Sequence, residues 1–110
     1  MLELLFGNQN LEKIFFFLLR NEKCYGKQIA DRFETALSPV QRTLGKLEKA
    51  GVIISFLVGK TRMYEFNPRY PFLKELIDFF EKAYTYLPDT IKCKYEPTAR
   101  KRPRRTGKPL

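Results

Sequence analysis

The stretch that most constrains this chain runs from Leu37 to Gly51, LSPVQRTLGKLEKAG. Ser38 is a natural N-cap, because its hydroxyl can accept from a first-turn backbone N–H that has no partner inside the helix. Pro39 then takes the first helical position, where a missing N–H costs nothing. Gln41 stands three residues after Ser38 and completes a capping box. Val40, Leu44 and Leu47 recur on one face at a period of about 3.6 residues, and Gly51 marks the stop. The spacing predicts a short helix with defined ends and a narrow apolar stripe.

The opposite face carries the chemistry. Ser38, Arg42, Gly45 and Lys49 project away from the stripe, flanked by Gln41 and Lys46. The face holds three cations, one amide and no carboxylate, with Glu48 nearer the buried edge. Arg and Gln are the side chains that make paired hydrogen bonds to guanine and adenine edges in the major groove. A solvated face on an ordinary surface helix is the plain alternative, so the flanking chain has to decide.

Upstream, Met1 to Phe6 is an apolar leader broken by Gly7, and Asn8 is the expected N-cap of a helix running to about Arg20. Leu11, Ile14, Phe15, Leu18 and Leu19 form its core-facing stripe. Phe16 and Phe17 fall outside it, which predicts a second covered side, formed by a partner subunit or else by the leader or the last helix. Cys24-Tyr25 reads as a short extended bridge. A second helix follows from about Gly26 to Phe33, with Ile29, Ala30 and Phe33 inward and Lys27 and Arg32 outward. Two short helices joined by a tight turn are a helix-turn-helix pattern.

Downstream of Gly51, Val52 to Val58 is β-branched and aromatic, Gly59-Lys60-Thr61 is a turn, and Arg62 to Phe66 alternates. This predicts a β-hairpin with a basic tip. Pro71 is expected to open a last helix reaching about Leu87, two-sided and aromatic, stopped by Pro88. Asp89 to Leu110 is rich in Pro, Lys and Arg, and is expected to be a flexible basic tail. The domain is thus set at 1–88 and the tail at 89–110.

Charge narrows the partner. The 110 residues carry a net charge of +9 with a pI near 9.7. Residues 1–88 hold 13 Lys and Arg against 10 Asp and Glu, and residues 89–110 hold 8 against 2. Such a balance points to nucleic acid first and an anionic membrane surface second. The chain has no histidine, which removes the commonest general base and metal ligand. Cys24 and Cys93 are not in a C-x-x-C pair and read as two reduced thiols. No apolar run is long enough for a membrane span, and the leader lacks the basic start and cleavage site of a signal peptide. A cytoplasmic protein is expected. An enzyme is not: there is no phosphate loop, metal-ligand cluster or His-based nucleophile pair, and Asp78 and Glu81 read as solvated helix charges.

Leu37 to Leu44, and Leu47-Glu48-Lys49-Ala50-Gly51-Val52-Ile53, resemble the recognition-helix signature of ArsR-type and MarR-type transcriptional regulators. In that family a capped turn leads a helix ending in Leu-Glu-Lys-Ala-Gly and two apolar residues. Gly59, with Tyr64 to Pro68, is similar to the family's wing and its exit. The resemblance covers roughly residues 5–87. It implies an α+β, mainly α fold, a winged helix-turn-helix with a three-helix core, a two-stranded wing and a C-terminal dimerisation helix. It implies double-stranded DNA as partner. Ser38, Pro39, Gln41, Arg42, Gly45, Lys46 and Lys49 would lie at the major groove, and Lys60, Thr61 and Arg62 at the backbone or minor groove. It also implies a homodimer through the terminal helices, which assigns Phe16, Phe17, Leu76, Phe79, Phe80 and Ala83 to the interface. Metal-sensing members carry Cys or His clusters that this chain lacks, so no cofactor or metal is expected, and the sequence names no effector ligand. The competing readings are a winged-helix protein-interaction module and a non-specific nucleic-acid binder led by the tail.

Overall fold

Helix α2 (Gln9–Asn21) is the axis on which the other elements pack. The computed structural model describes residues 3–96. In chain order these form α1 (Glu3–Phe6), α2, α3 (Gly26–Phe33), α4 (Leu37–Lys49), β1 (Ile53–Val58), β2 (Thr61–Phe66), α5 (Leu73–Tyr84) and α6 (Asp89–Lys92). The chain is α+β and mainly helical, with one antiparallel two-stranded sheet among the described residues.

Asn8 caps α2 as its sequence position predicts, its side-chain oxygen accepting from Asn10 N–H at 2.8 Å and Leu11 N–H at 3.4 Å. From there Ile14 to Leu18 are all buried, Phe16 and Phe17 at 0 % exposure. Phe15 stacks between Phe66 and Phe80, with ring centroids 5.9 and 4.6 Å away. Phe16 meets Phe80, Tyr84 and Tyr95 at 5.4, 5.8 and 5.4 Å. Each such side chain contributes about 1.5–3 kcal/mol by burial. This corrects the assignment of Phe16, Phe17, Phe80 and Ala83 to a subunit interface, since all four are buried within the single chain. The surplus of aromatics on α2 is real, but it is taken up internally.

The start of α4 is also corrected. Ala36 is the N-cap, and no side chain caps it. Ser38 is already inside the helix, so the Ser38–Gln41 capping box does not form. A cap is worth about 0.5–2 kcal/mol, and it yields here to Leu37, which packs against the core as the first helical residue. Pro39 still lies in the first turn, where its missing N–H is harmless. A box-type contact occurs instead at α3, where the Gln28 side-chain oxygen accepts from Tyr25 N–H at 3.2 Å. The end of α4 follows its sequence signal. Gly51 has φ +84, its N–H donates to Glu48 C=O, and Val52 N–H donates to Leu47 C=O, both at 3.0 Å. That is a Schellman stop, which requires a residue tolerant of positive φ.

In the hairpin, Val58 pairs with Thr61 across Gly59-Lys60, and Gly59 takes φ +64 at the first turn position. Cys24 bridges to Tyr64 through two backbone hydrogen bonds of 3.0 and 2.7 Å, tying the α2–α3 link to β2. Burial pushes the Cys24 thiol up to about 12.

The chain stays on the core beyond the expected boundary at residue 88. Helix α5 ends at Tyr84, before Pro88, and the chain then folds back through α6 to Glu96. Tyr95 is 2 % exposed among Phe16, Phe33 and Tyr84. Asn21 Nδ2 donates to Tyr95 C=O at 2.7 Å, and Arg32 Nη1 donates to Lys94 C=O at 2.7 Å. The Glu96 carboxylate accepts two hydrogen bonds from Arg20, at 3.1 and 3.2 Å, and one from Tyr84 Oη. These partners, Arg20 foremost, hold the Glu96 carboxyl below its ordinary value. The rest of the expected tail, including the basic run Arg100 to Arg105, lies outside the described residues.

Because Tyr95 closes the aromatic cluster, Tyr95→Ala should lower unfolding free energy by about 3 kcal/mol or more in chemical denaturation. Arg20→Ala, which removes a partly exposed ion pair with Glu96 and a contact over the Tyr84 ring, should cost less, about 1–2 kcal/mol.

Candidate functional site

Helix α4 is held by its buried side, Val40, Thr43, Leu44 and Leu47. The Thr43 hydroxyl donates to Pro39 C=O at 3.0 Å and accepts from Asn8 Nδ2 at 3.2 Å, which ties α4 to the cap of α2. This packing turns the other face outward. Ser38, Gln41, Arg42, Gly45, Lys46 and Lys49 are exposed, and Pro39 is half-buried. Nothing lies within 4 Å of where a Cβ on Gly45 would stand. A shallow hollow of about 510 Å³ opens there, lined by Gln41, Arg42, Gly45, Lys46, Glu48 and Lys49.

Lys60, Thr61 and Arg62 are exposed at the hairpin tip. They share a second cleft, of about 260 Å³, with Gln41 of α4 and with Lys27 and Tyr64. Gln41 therefore lines both hollows and joins the α4 face to the hairpin. Ser38 and Pro39 line neither.

Arg62 is not a loose tip cation. Its Nη1 donates to Ser55 Oγ at 2.9 Å, and Ser55 Oγ donates to Glu48 Oε2 at 2.5 Å. The Glu48 carboxylate is thus engaged by a neighbouring hydroxyl. Sequence reasoning missed Ser55 and Lys27. Ser55 sits diagonally across the ladder from Arg62, since it pairs with Tyr64, and only the strand register reveals this. Lys27 gave a weak signal as an outward cation in the first turn of α3.

The residues assigned to a dimer interface divide. Phe79 is 43 % exposed and Leu76 is half-buried, whereas the other four are internal. Phe79 meets Phe6 edge-on at 6.4 Å, and Leu5 beside it is 71 % exposed, so an apolar patch spans α1 and α5. Among the described residues, no three His, Cys, Asp or Glu side chains are grouped to hold a metal ion. No helix of that part is long and apolar enough to cross a membrane.

Comparisons with protein-family models, curated proteins and solved structures return no match to this chain.

With open space at its Cβ position and a helical backbone, Gly45 should accept alanine without strain. Gly45→Ala is expected to raise stability by about 0.5–1 kcal/mol, read from thermal or denaturant unfolding.

Proposed function

We propose that the protein is a homodimeric, sequence-specific DNA-binding regulator with a winged helix-turn-helix fold. Helix α4 is its recognition helix in the major groove, and the β1–β2 hairpin is its wing. The observation that carries this reading is the outer face of α4. Gln41, Arg42, Lys46 and Lys49 stand exposed around an open Gly45, and that face runs through Gln41 into the cations of the hairpin tip. A helix fits the major groove, and Arg and Gln distinguish base pairs there by paired hydrogen bonds. The bare backbone at Gly45 allows close approach to DNA. Phosphate contacts from the wing would set the register without reading sequence.

The test is binding to a library of duplexes at controlled salt. A regulator of this kind binds one duplex well above the rest. Uniform binding supports a non-specific binder, and no binding supports a protein-interaction module. On the preferred duplex, Arg42→Ala should cost about 1–3 kcal/mol at one base position and relax the preference there. An equal loss on all sequences would mean that Arg42 contacts only phosphate.

The proposed dimer uses the exposed patch of Leu5, Phe6 and Phe79 rather than Phe16 and Phe17. Two-fold pairing would set two α4 helices about 34–36 Å apart, or a multiple of that, on a near-palindromic site. Phe79→Glu should then yield a folded monomer in sedimentation, because the ring is already partly in water. A monomeric wild type at micromolar concentration, on DNA as well as free, would reject the dimer.

A further inference from the structure

Strand β1 is the open edge of the sheet. On the other strand, Tyr64 exchanges two backbone hydrogen bonds with Cys24, at 3.0 and 2.7 Å. These bonds also fix the direction of the β1 backbone groups. Tyr64 turns its N–H and C=O away from β1, so Ser55, which pairs with it, turns its own away from β2. By the antiparallel alternation Ile53 and Leu57 do the same, while Ile54, Phe56 and Val58 bond across the hairpin. Among the described residues, no backbone group outside the hairpin bonds Ile53, Ser55 or Leu57.

Proteins ordinarily guard such an edge with charged residues, proline, a bulge or a covering element. Strand β1 carries none of the first three. Its sequence, IISFLV, holds no charge and no proline, and its register runs unbroken from Ile53 to Val58. Leu57 and Val58 are 61 and 57 % exposed. Nothing lies within 4 Å of where a Cβ on Gly51 or Gly59 would stand, so both ends of the strand are open.

The strand is also complementary to itself. About a two-fold axis at Ser55, two antiparallel copies set Ser55 opposite Ser55, Ile53 opposite Leu57 and Ile54 opposite Phe56 of the second copy. Every outward N–H and C=O of Ile53, Ser55 and Leu57 then meets a partner. Ile54 against Phe56 is a β-branched residue on an aromatic one, a favourable cross-strand pair. No like charges are opposed along the ladder, because the strand has none.

We propose that the β1 edge is an interaction surface for β1 of a second copy, the two hairpins forming one continuous antiparallel sheet centred on Ser55. This surface is separate from the patch on α1 and α5. A six-residue edge falls short of the about 1,200 Å² of buried surface typical of a stable interface. The edge is therefore open at micromolar concentration and pairs at much higher concentration, or between copies already held side by side. On the DNA-binding reading, such copies are neighbouring dimers on one duplex.

Two measurements on the full chain, both made without DNA, keep the outcome separate from that reading. In the first, amide hydrogen exchange is followed as the protein is concentrated to near the millimolar range. Slowing at Ile53, Ser55 and Leu57, with Ile54, Phe56 and Val58 protected at every concentration, supports the pairing. Leu57→Lys, a charge on an already exposed edge position, should abolish the slowing and leave the fold intact. No concentration dependence at the three outward amides overturns the proposal, as does a slowing that Leu57→Lys leaves unchanged. In the second, Ser55→Cys and Leu57→Cys are compared under a mild thiol oxidant in a Cys93→Ser background. The two-fold register brings the two Cα atoms at position 55 to about 5.5 Å, within reach of a disulfide, and keeps those at 57 far apart. Cross-linking at the half-buried position 55 should therefore outpace that at the more exposed position 57. The reverse order is that of random collision and overturns the register.

Discussion

The structure depends on the aromatic packing around Phe16. Its ring is enclosed by Phe80, Tyr84 and Tyr95, contributed by α5 and by the segment after α6. Phe15, one residue earlier, stacks on both Phe80 and Phe66, and so draws the hairpin to the same centre. A single helix thus contacts the sheet, α5 and the C-terminal segment through two adjacent rings. Aromatic pairs at these separations add about 0.5–1.5 kcal/mol each beyond the area they bury.

That packing has a consequence for the outer surface. Because α2 is consumed by the core all round, α3 and α4 are left to present their polar sides. Asn8 caps α2 and also reaches Thr43, so the cap that starts the central helix holds the helix carrying Gln41 and Arg42. Glu48 and Ser55 then connect the far end of α4 to the hairpin. The orientation of the proposed recognition face against the proposed wing therefore rests on a few short polar contacts set over a rigid apolar base. Such contacts contribute little to stability and much to geometry.

The C-terminal segment makes the same point in reverse. Its composition is basic and rich in proline further on, and this reads as a tail. Yet Tyr95 is as buried as the core residues of α2. One tyrosine and one glutamate, each meeting partners on three different elements, are enough to bring the chain back onto the core. Neither residue belongs to a periodic pattern of apolar positions.

The features legible in the residues themselves are local. The cap at Asn8, the stop at Gly51, the turn at Gly59, the extended bridge at Cys24 and the order of elements from α2 to α5 are all set by residues within a few positions of one another. So is the outward direction of Gln41, Arg42, Lys46 and Lys49, since an apolar stripe on one side of a helix leaves the other to solvent. Tertiary structure alone decided which apolar surface is covered and by what. Phe16 reads the same whether its neighbour is Tyr95 or a second subunit, because burial depends on long-range packing that periodicity does not encode. It also decided that α4 begins at Leu37 rather than after Ser38, where packing outweighed a local cap. And it brought Lys27 to Lys60 and Arg62, three cations that share a cleft only because two turns of the chain, far apart in sequence, meet beside Gln41.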